Sequence, residues 1–306
     1  MHKYLSICMI WLSAVLLLAG CSAPASSGPG LKVVATTTLV GDVVRQVGGE
    51  HIALTVLLPV GADPHSFEPR PQDMAALSEA QLVFINGLHL EESLEETLEA
   101  NVKGQLVSVS DGITPLPFTA EHEGEEEDEH AAGDPHTWMS PLNVIIWANH
   151  IAAALSQADP DHAADYHANA EAYIVQLEQL DGWIRQQVAL VPAENRQLVT
   201  DHATLGYFAQ QYGFQQVGLV VRSLSASAAP SAQELADLQD AIQAQGVKAI
   251  FVGTTVNPAL SEQIAEDTGV KLIFFYTGSL SQAGGGAESY LDFMRYNVSA
   301  IVEALK

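Results

Sequence analysis

Three histidines in this chain stand in settings that could do chemistry. His65 lies in Gly61-Ala62-Asp63-Pro64-His65-Ser66-Phe67-Glu68-Pro69, and His136 in Asp134-Pro135-His136-Thr137-Trp138-Met139-Ser140-Pro141. His202 lies in Thr200-Asp201-His202-Ala203. Neutral imidazole is a good ligand for Zn²⁺ and for other late first-row divalent ions. Proline fixes its own φ and restricts the residue before it, so both Asp-Pro-His loops are stiff where the histidine leaves them. Asp63 and Asp134 are placed to accept the second ring N–H of the nearby imidazole, a contact that orients metal-bound histidines. Both cysteines, Cys8 and Cys21, fall near the N-terminus, so a metal site in the body must use His, Asp or Glu. Spacing alone leaves the matter open. There is no His-x-x-x-His and no Cys pair in the body, and a single loop histidine is more often a surface residue than a ligand.

The elements that must position these side chains alternate between strand and helix. Strand-like runs at 31–40, 51–60 and 81–86 are separated by helical stretches at 41–48 and 71–80 and followed by an acidic helix at 90–100. Residues 111–135 break the pattern, with seven acids between 121 and 129, and read as an exposed loop. A helix is expected over 141–157 and a long one over 162–190, where Tyr173, Leu177, Leu180, Ile184 and Val188 form one apolar stripe. From residue 197 the strand–helix alternation restarts and ends in a C-terminal helix from about 287. The expected fold is α/β: two parallel-sheet α/β lobes joined by one long rigid connecting helix. Its boundaries are an N-terminal lobe at 31–160 (with the acidic loop 119–133), the connecting helix at 161–190 and a C-terminal lobe at 191–306. Ligands of open α/β sheets bind beyond the carboxyl ends of strands, so the three histidines can meet in the cleft between the lobes.

Charge and the N-terminus narrow the setting. The 306 residues carry 12 Lys+Arg against 37 Asp+Glu, a net charge of −25. Nucleic-acid binding needs clustered cations and is excluded as an expectation. Residues 1–20 read as a signal peptide with one apolar core, ending in Leu18-Ala19-Gly20-Cys21-Ser22. Small residues before a cysteine resemble the lipobox of bacterial lipoproteins, which implies lipidation at Cys21. Residues 21–30 then read as a flexible tether to a membrane surface, outside the cytoplasm.

From residue 31 onward the chain resembles the solute-binding proteins of bacterial zinc and manganese ABC importers. The likeness is carried by 61–72 (GADPHSFEPRPQ), 86–91 (NGLHLE), 134–141 (DPHTWMSP), 201–213 (DHATLGYFAQQYG), 256–258 (VNP) and 289–298 (SYLDFMRYNV). The resemblance implies metal held between two lobes and puts His65, His136 and His202 on the family's ligand positions. A third His is typical of its zinc binders and a Glu of many manganese binders. His202 therefore tilts the expected cargo to Zn²⁺, with Mn²⁺ as the alternative. Many members add an Asp after the last strand; here Gly278 falls at that place. The fourth position is left to water, to a nearby carboxylate or to a histidine of the acidic loop. Zinc-type members often carry a His- and acid-rich loop before the second ligand. His122 and His130 are accordingly candidates for a weak secondary metal site, against a merely solvated loop. His89 reads as structural, and His150, His162 and His167 as helix-surface residues.

The implied function is a monomeric, lipid-anchored, extracytoplasmic receptor that captures Zn²⁺ and delivers it to the permease of an ABC importer. It is not expected to be an enzyme. The rival is a three-His zinc hydrolase or hydratase, for which no His-Glu-x-x-His motif speaks. Some relatives have been linked to host attachment, and no residue here points to it. Binding needs neutral imidazoles, so affinity is expected to fall as pH drops through about 6.5.

Overall fold

Leu31–Ala35 forms β1, almost wholly buried, as expected of a central strand in a parallel sheet covered on both faces. The structure, a computed structural model, describes residues 30–117, 133–223 and 229–306. The expected signal peptide, Cys21, the tether before residue 30 and His122 and His130 of the acidic loop lie outside the described residues.

The first half continues with α1 (Thr38–Gly48), β2 (Ile52–Val56), α2 (Pro71–Glu79), β3 (Leu82–Ile85), α3 (Glu95–Asn101) and β4 (Gln105–Ser108). Two helices follow, α4 (Pro141–Ala158) and α5 (Ala163–Val188). The second half comprises β5 (Gln197–Thr200), α6 (Gly206–Tyr212), β6 (Gln215–Leu219), α7 (Ala232–Gln245), β7 (Ala249–Gly253), α8 (Ala259–Thr268), β8 (Lys271–Phe275) and α9 (Tyr290–Leu305). The sheets run β2-β1-β3-β4 and β6-β5-β7-β8, with every pairing parallel. The two halves thus repeat one topology, and in each the strand order reverses beside the first strand. That reversal opens a crevice at the carboxyl ends of the strands.

Three local differences from the sequence expectation have physical causes. The first strand stops at Ala35 because Thr37 caps α1: its side-chain oxygen accepts the Val40 N–H at 3.1 Å. The acidic helix starts only at Glu95 because Gly87, Leu88 and His89 all take positive φ, and Glu91 turns inward. There its carboxylate accepts from the Thr36 hydroxyl (2.7 Å), Asn86 N (2.7 Å) and Gly87 N (3.2 Å). Strand β4, short and half-exposed, was not expected at all.

The long helix α5 spans 26 residues and buries Tyr166, Ala170, Tyr173, Leu177, Leu180, Ile184 and Val188, which includes the whole predicted stripe. It packs mainly on α4 and also on α1 and α9, so elements of both halves cover it. One apolar core runs from Val33 and Phe84 of the first sheet through Trp138, Trp147 and Tyr173 to Phe251, Phe275 and Tyr290 of the second half. Polar bonds cross the same boundary. The Tyr290 hydroxyl donates to Trp138 O (2.7 Å), Tyr290 N donates to the Asp42 carboxylate (2.9 Å), and Trp138 Nε1 donates to Thr277 O (2.9 Å). A shared core with buried hydrogen bonds resists a wide opening of the lobes.

Candidate metal centre

Each of the three histidines leaves a loop at the carboxyl end of the sheets, and acids adjacent in sequence shape those loops. In the first, Asp63 accepts the backbone N–H of His65 at 3.0 Å and the Ser66 hydroxyl at 3.1 Å. Its two oxygens thus hold the turn, whereas the sequence reading had it accepting from the ring. In the second, Asp134 Oδ1 accepts both the His136 backbone N–H (2.9 Å) and faces ring Nδ1 at 2.7 Å. That carboxylate is an acceptor only, so the ring proton is assigned to Nδ1 and the Nε2 lone pair is free to face the site. In the third, Asp201 accepts His202 N at 2.8 Å and Gly253 N at 2.9 Å. Its Oδ1 also lies 3.0 Å from His202 Nδ1, off the line that a hydrogen bond needs.

The turns bring the rings together. Among the described residues, His65, His136 and His202 form the one group whose ligand atoms all lie within 4.8 Å of one another. Ring centroids are 5.3 Å apart for His65 and His136, 6.0 Å for His65 and His202, and 5.5 Å for His136 and His202. The Nε2 atoms of His65 and His136 are 3.2 Å apart. That is near the edge of a tetrahedron with metal–nitrogen bonds of about 2.0–2.1 Å. His136 and His202 are buried at 1% and 4% exposure, while His65 is half-buried at the rim. Loss of water around the His65 ring, reinforced by the nearby His136 and His202, pushes its pKa well below the usual imidazole value. Proton competition at His65 therefore starts at a lower pH than the sequence expectation of about 6.5.

The surrounding residues fix this arrangement. The Trp138 ring stands 5.2 Å from His136, edge on. The Tyr207 hydroxyl donates to Asp134 O at 2.7 Å. Asn86 Nδ2 donates to Pro135 O at 2.9 Å and so ties the His136 loop to the turn that Glu91 organises. A cavity of about 10 Å³ adjoins the rings, lined by Asp63, Pro64, the three histidines, Thr204, Thr255, Thr277 and Gly278. No carboxylate joins the three imidazoles among the described residues.

The remaining described histidines are engaged elsewhere. His89 pairs with Glu95 at 2.8 Å on the surface, and His162 pairs with Asp159 at 2.7 Å and stacks on His51. His150 Nδ1 faces Val109 O, and His167 Nε2 faces Ser156 Oγ. Asp201 and Thr204 escaped the sequence reading. The usable signal for Asp201 was an acid within two residues of every site histidine; Thr204 had none.

Residues 33–304 match the family described as zinc-uptake complex component A, periplasmic. The chain belongs to this family. The manganese-binding lipoprotein MntA of Halalkalibacterium halodurans is 36% identical over 95% of this chain and 95% of its own. The manganese ABC transporter substrate-binding lipoprotein PsaA of Streptococcus pneumoniae is 30% identical over 100% of this chain and 99% of its own. Among solved structures, a Mn-bound periplasmic metal-binding protein from Candidatus Liberibacter asiaticus superposes with a TM-score of 0.79 at 28% identity. It covers 90% of this chain and 99% of its own. The two parallel-sheet lobes around a long helix are thus the architecture of the family. Among the described residues no helix is long and apolar enough to cross a membrane.

Proposed function

We propose that this family member is the extracytoplasmic receptor of an ABC-type importer and that its cargo is Zn²⁺, bound by His65, His136 and His202. The observation that carries the reading is the convergence of three imidazoles from three separate loops, with no carboxylate among the described residues in the group. An all-nitrogen donor set of this kind suits Zn²⁺ better than Mn²⁺, which takes carboxylate and water more readily. Asp134 supports the reading by facing the His136 ring from behind, as metal-bound histidines require. The cavity beside the rings leaves no room for an organic substrate, which favours a receptor over a hydrolase.

The relatives' names support a second reading, Mn²⁺, since both curated relatives described above are named for manganese. They are also named lipoproteins, in line with an anchor on Cys21 that keeps the receptor at the membrane and near its permease. The segments 31–160, 161–190 and 191–306 would then act as lobe, connector and lobe.

Calorimetric titration of the metal-stripped protein with Zn²⁺ and Mn²⁺ tests both readings, with His202→Ala in parallel. One tight Zn²⁺ site, weak Mn²⁺ binding and loss of the tight site in the variant are expected. A tight one-to-one Mn²⁺ site would install the second reading. Weak binding of both ions, unchanged in the variant, would overturn the receptor function. Additional weak equivalents would point to His122 and His130.

A further inference from the structure

The serine that opens α4 is not used as a serine in that place usually is. Ser140 is the N-cap residue of α4 and has the extended backbone of one, yet its hydroxyl caps no N–H of the helix. It donates instead to Gln211 Oε1 on α6. The Gln211 amide is turned by its other neighbour, Asp181 of the long helix α5. Gln211 Nε2 donates to Asp181 Oδ1 at 2.5 Å, and a carboxylate only accepts, so the amide oxygen is left for Ser140. The Tyr212 hydroxyl donates to the same Asp181 oxygen at 2.8 Å, and Arg185 Nε donates to the other at 2.9 Å. The Arg185 guanidinium lies 5.4 Å from the centroid of the Tyr212 ring. Ser140 and Tyr212 are buried and the Asp181 side chain is 14% exposed, so bulk water competes little for these bonds.

Ser140 closes the segment that carries His136, and Gln211 lies near the far end of the helix that follows His202. The near end of that helix also meets the His136 segment. A Cβ on Gly206 would lie 2.5 Å from Asp134 Oδ2, and the Tyr207 hydroxyl donates to Asp134 O at 2.7 Å. We infer that Asp181 of the long helix is a positioning residue for metal capture: through Gln211 it draws Ser140 onto α6 and so fixes the spacing of His136 and His202. This inference rests on the three-histidine metal site proposed above. It accounts for the unused cap, because the Ser140 hydroxyl ties α4 to α6 where a cap would have served α4 alone. Helix α5 packs on elements of both halves, so a bend near Asp181 is passed to the two buried histidines together. His65, on the rim loop, lies outside this chain of bonds.

The test is a double-mutant cycle on metal affinity, with Asp181→Ala and Ser140→Ala made singly and together in the full chain. Alanine is a good helix former, so α5 keeps its conformation when Asp181 is replaced. Each single variant should bind Zn²⁺ about three- to thirtyfold more weakly at unchanged stoichiometry, the range for residues that act on a site through a network. The double variant should bind within about twofold of the weaker single one, because both changes cut the same link. Losses that multiply in the double variant, or Asp181→Ala binding as tightly as the parent, would overturn the inference. The visible absorption of bound Co²⁺ follows its ligand angles, and its bands should shift in Asp181→Ala; identical spectra at full occupancy would also overturn it. Asp181→Asn keeps an acceptor for Gln211 and should bind within about threefold of the parent, and a loss as large as that of Asp181→Ala would refute the hydrogen-bonded link. Ala170→Gly weakens the same helix elsewhere and should lower the urea midpoint with Zn²⁺ affinity nearly unchanged; an equal loss of affinity would reduce Asp181 to a folding role. His136→Ala separates the two levels of the reading. If it binds Zn²⁺ as tightly as the parent, the metal site itself fails. If it abolishes tight binding while Asp181→Ala does not weaken it, the role of Asp181 alone fails.

Discussion

Replacing Asp134 by asparagine tests the triad at its most buried point. Asp134 is 4% exposed, and its Oδ1 lies 2.7 Å from His136 Nδ1 and 2.9 Å from the His136 backbone nitrogen. As a carboxylate it can only accept, which keeps the proton on Nδ1 and the Nε2 lone pair toward His65 Nε2, 3.2 Å away. Asparagine offers one oxygen and one NH₂ group. With the oxygen toward the ring, the bond persists but loses its charge assistance, about half its strength. With the NH₂ toward the ring, the proton moves to Nε2, and the ligand atom is blocked. Loss of such a partner weakens metal binding about 10–100-fold, or about 1.4–2.7 kcal/mol. Zn²⁺ affinity would be measured by competition with a chromophoric chelator, beside urea unfolding of the metal-free protein. Gly206→Ala should act in the same direction from the other side, since a Cβ there would lie 2.5 Å from Asp134 Oδ2. If Asp134→Asn lowers the urea midpoint yet leaves Zn²⁺ affinity within about threefold, Asp134 serves folding alone and the orientation argument is wrong.

Other perturbations read other parts of the site. Ser279→Ala removes the acceptor of Gly61 N (2.9 Å) and the partner of Thr38 Oγ1 (3.3 Å), so the His65 loop loses its fastening to the second half. Zn²⁺ release into excess chelator, followed by stopped flow, should quicken about five- to thirtyfold, and an unchanged rate would dismiss the fastening. For His65, the folded pKa lies well below its unfolded value of about 6.5, so in that window the unfolded chain binds more protons. Stability of the metal-free protein must therefore fall as pH is lowered below about 6.5, and His65→Gln should flatten that fall. Urea unfolding at several pH values decides it, with equal slopes in the two proteins counting against His65. Glu91→Gln places an NH₂ group among three donors, leaves a buried N–H unpaired and should cost about 1–3 kcal/mol in urea unfolding. Zn²⁺ stoichiometry should stay at one, and an unchanged urea midpoint would contradict the three-donor picture.

How much of this was legible in the sequence depended on the range of the physics involved. The strand–helix alternation and the apolar stripe of α5 are local periodicities, and the structure bears both out. The stiff Asp-Pro-His turns were readable because proline acts on its immediate neighbours, and the structure shows Asp134 facing the His136 ring. Asp63 was read by the same rule and does something else. Its loop lies at the rim, where the nearest unpaired donors are backbone and Ser66 rather than a buried ring. Strand β4 was missed because four half-exposed residues, Gln105–Ser108, carry little pattern and owe their conformation to pairing with β3. The wall of the cavity was invisible for a deeper reason: Pro64, Thr204, Thr255, Thr277 and Gly278 meet only through the packing of distant parts of the chain.

The same long-range packing bears on how a bound ion would leave. A receptor must let go of its cargo, and the usual route for two-lobed proteins is hinge opening. Here that route is obstructed by the common core and by Tyr290, whose backbone nitrogen and hydroxyl reach Asp42 and Trp138 in the first half. His136 is locked between Asp134 and Trp138, and the Asp201 turn that carries His202 is tied to Gly253. His65 is the exception. It is half-buried, and its ring contacts in the site are to the other two histidines. Its loop is fastened to the second half through the Gly61 N–H on Ser279. Of the three histidines, His65 is the least buried, so its ring can withdraw at the lowest cost, while Pro64 beside it is buried and Ala62 and Phe67 of the same loop pack on the core of the first sheet. Release by the His65 loop predicts that Ser279→Ala speeds dissociation, whereas Tyr290→Phe lowers stability by about 1 kcal/mol and leaves the release rate nearly unchanged. Faster release in Tyr290→Phe than in Ser279→Ala would instead place the moving part in the lobes.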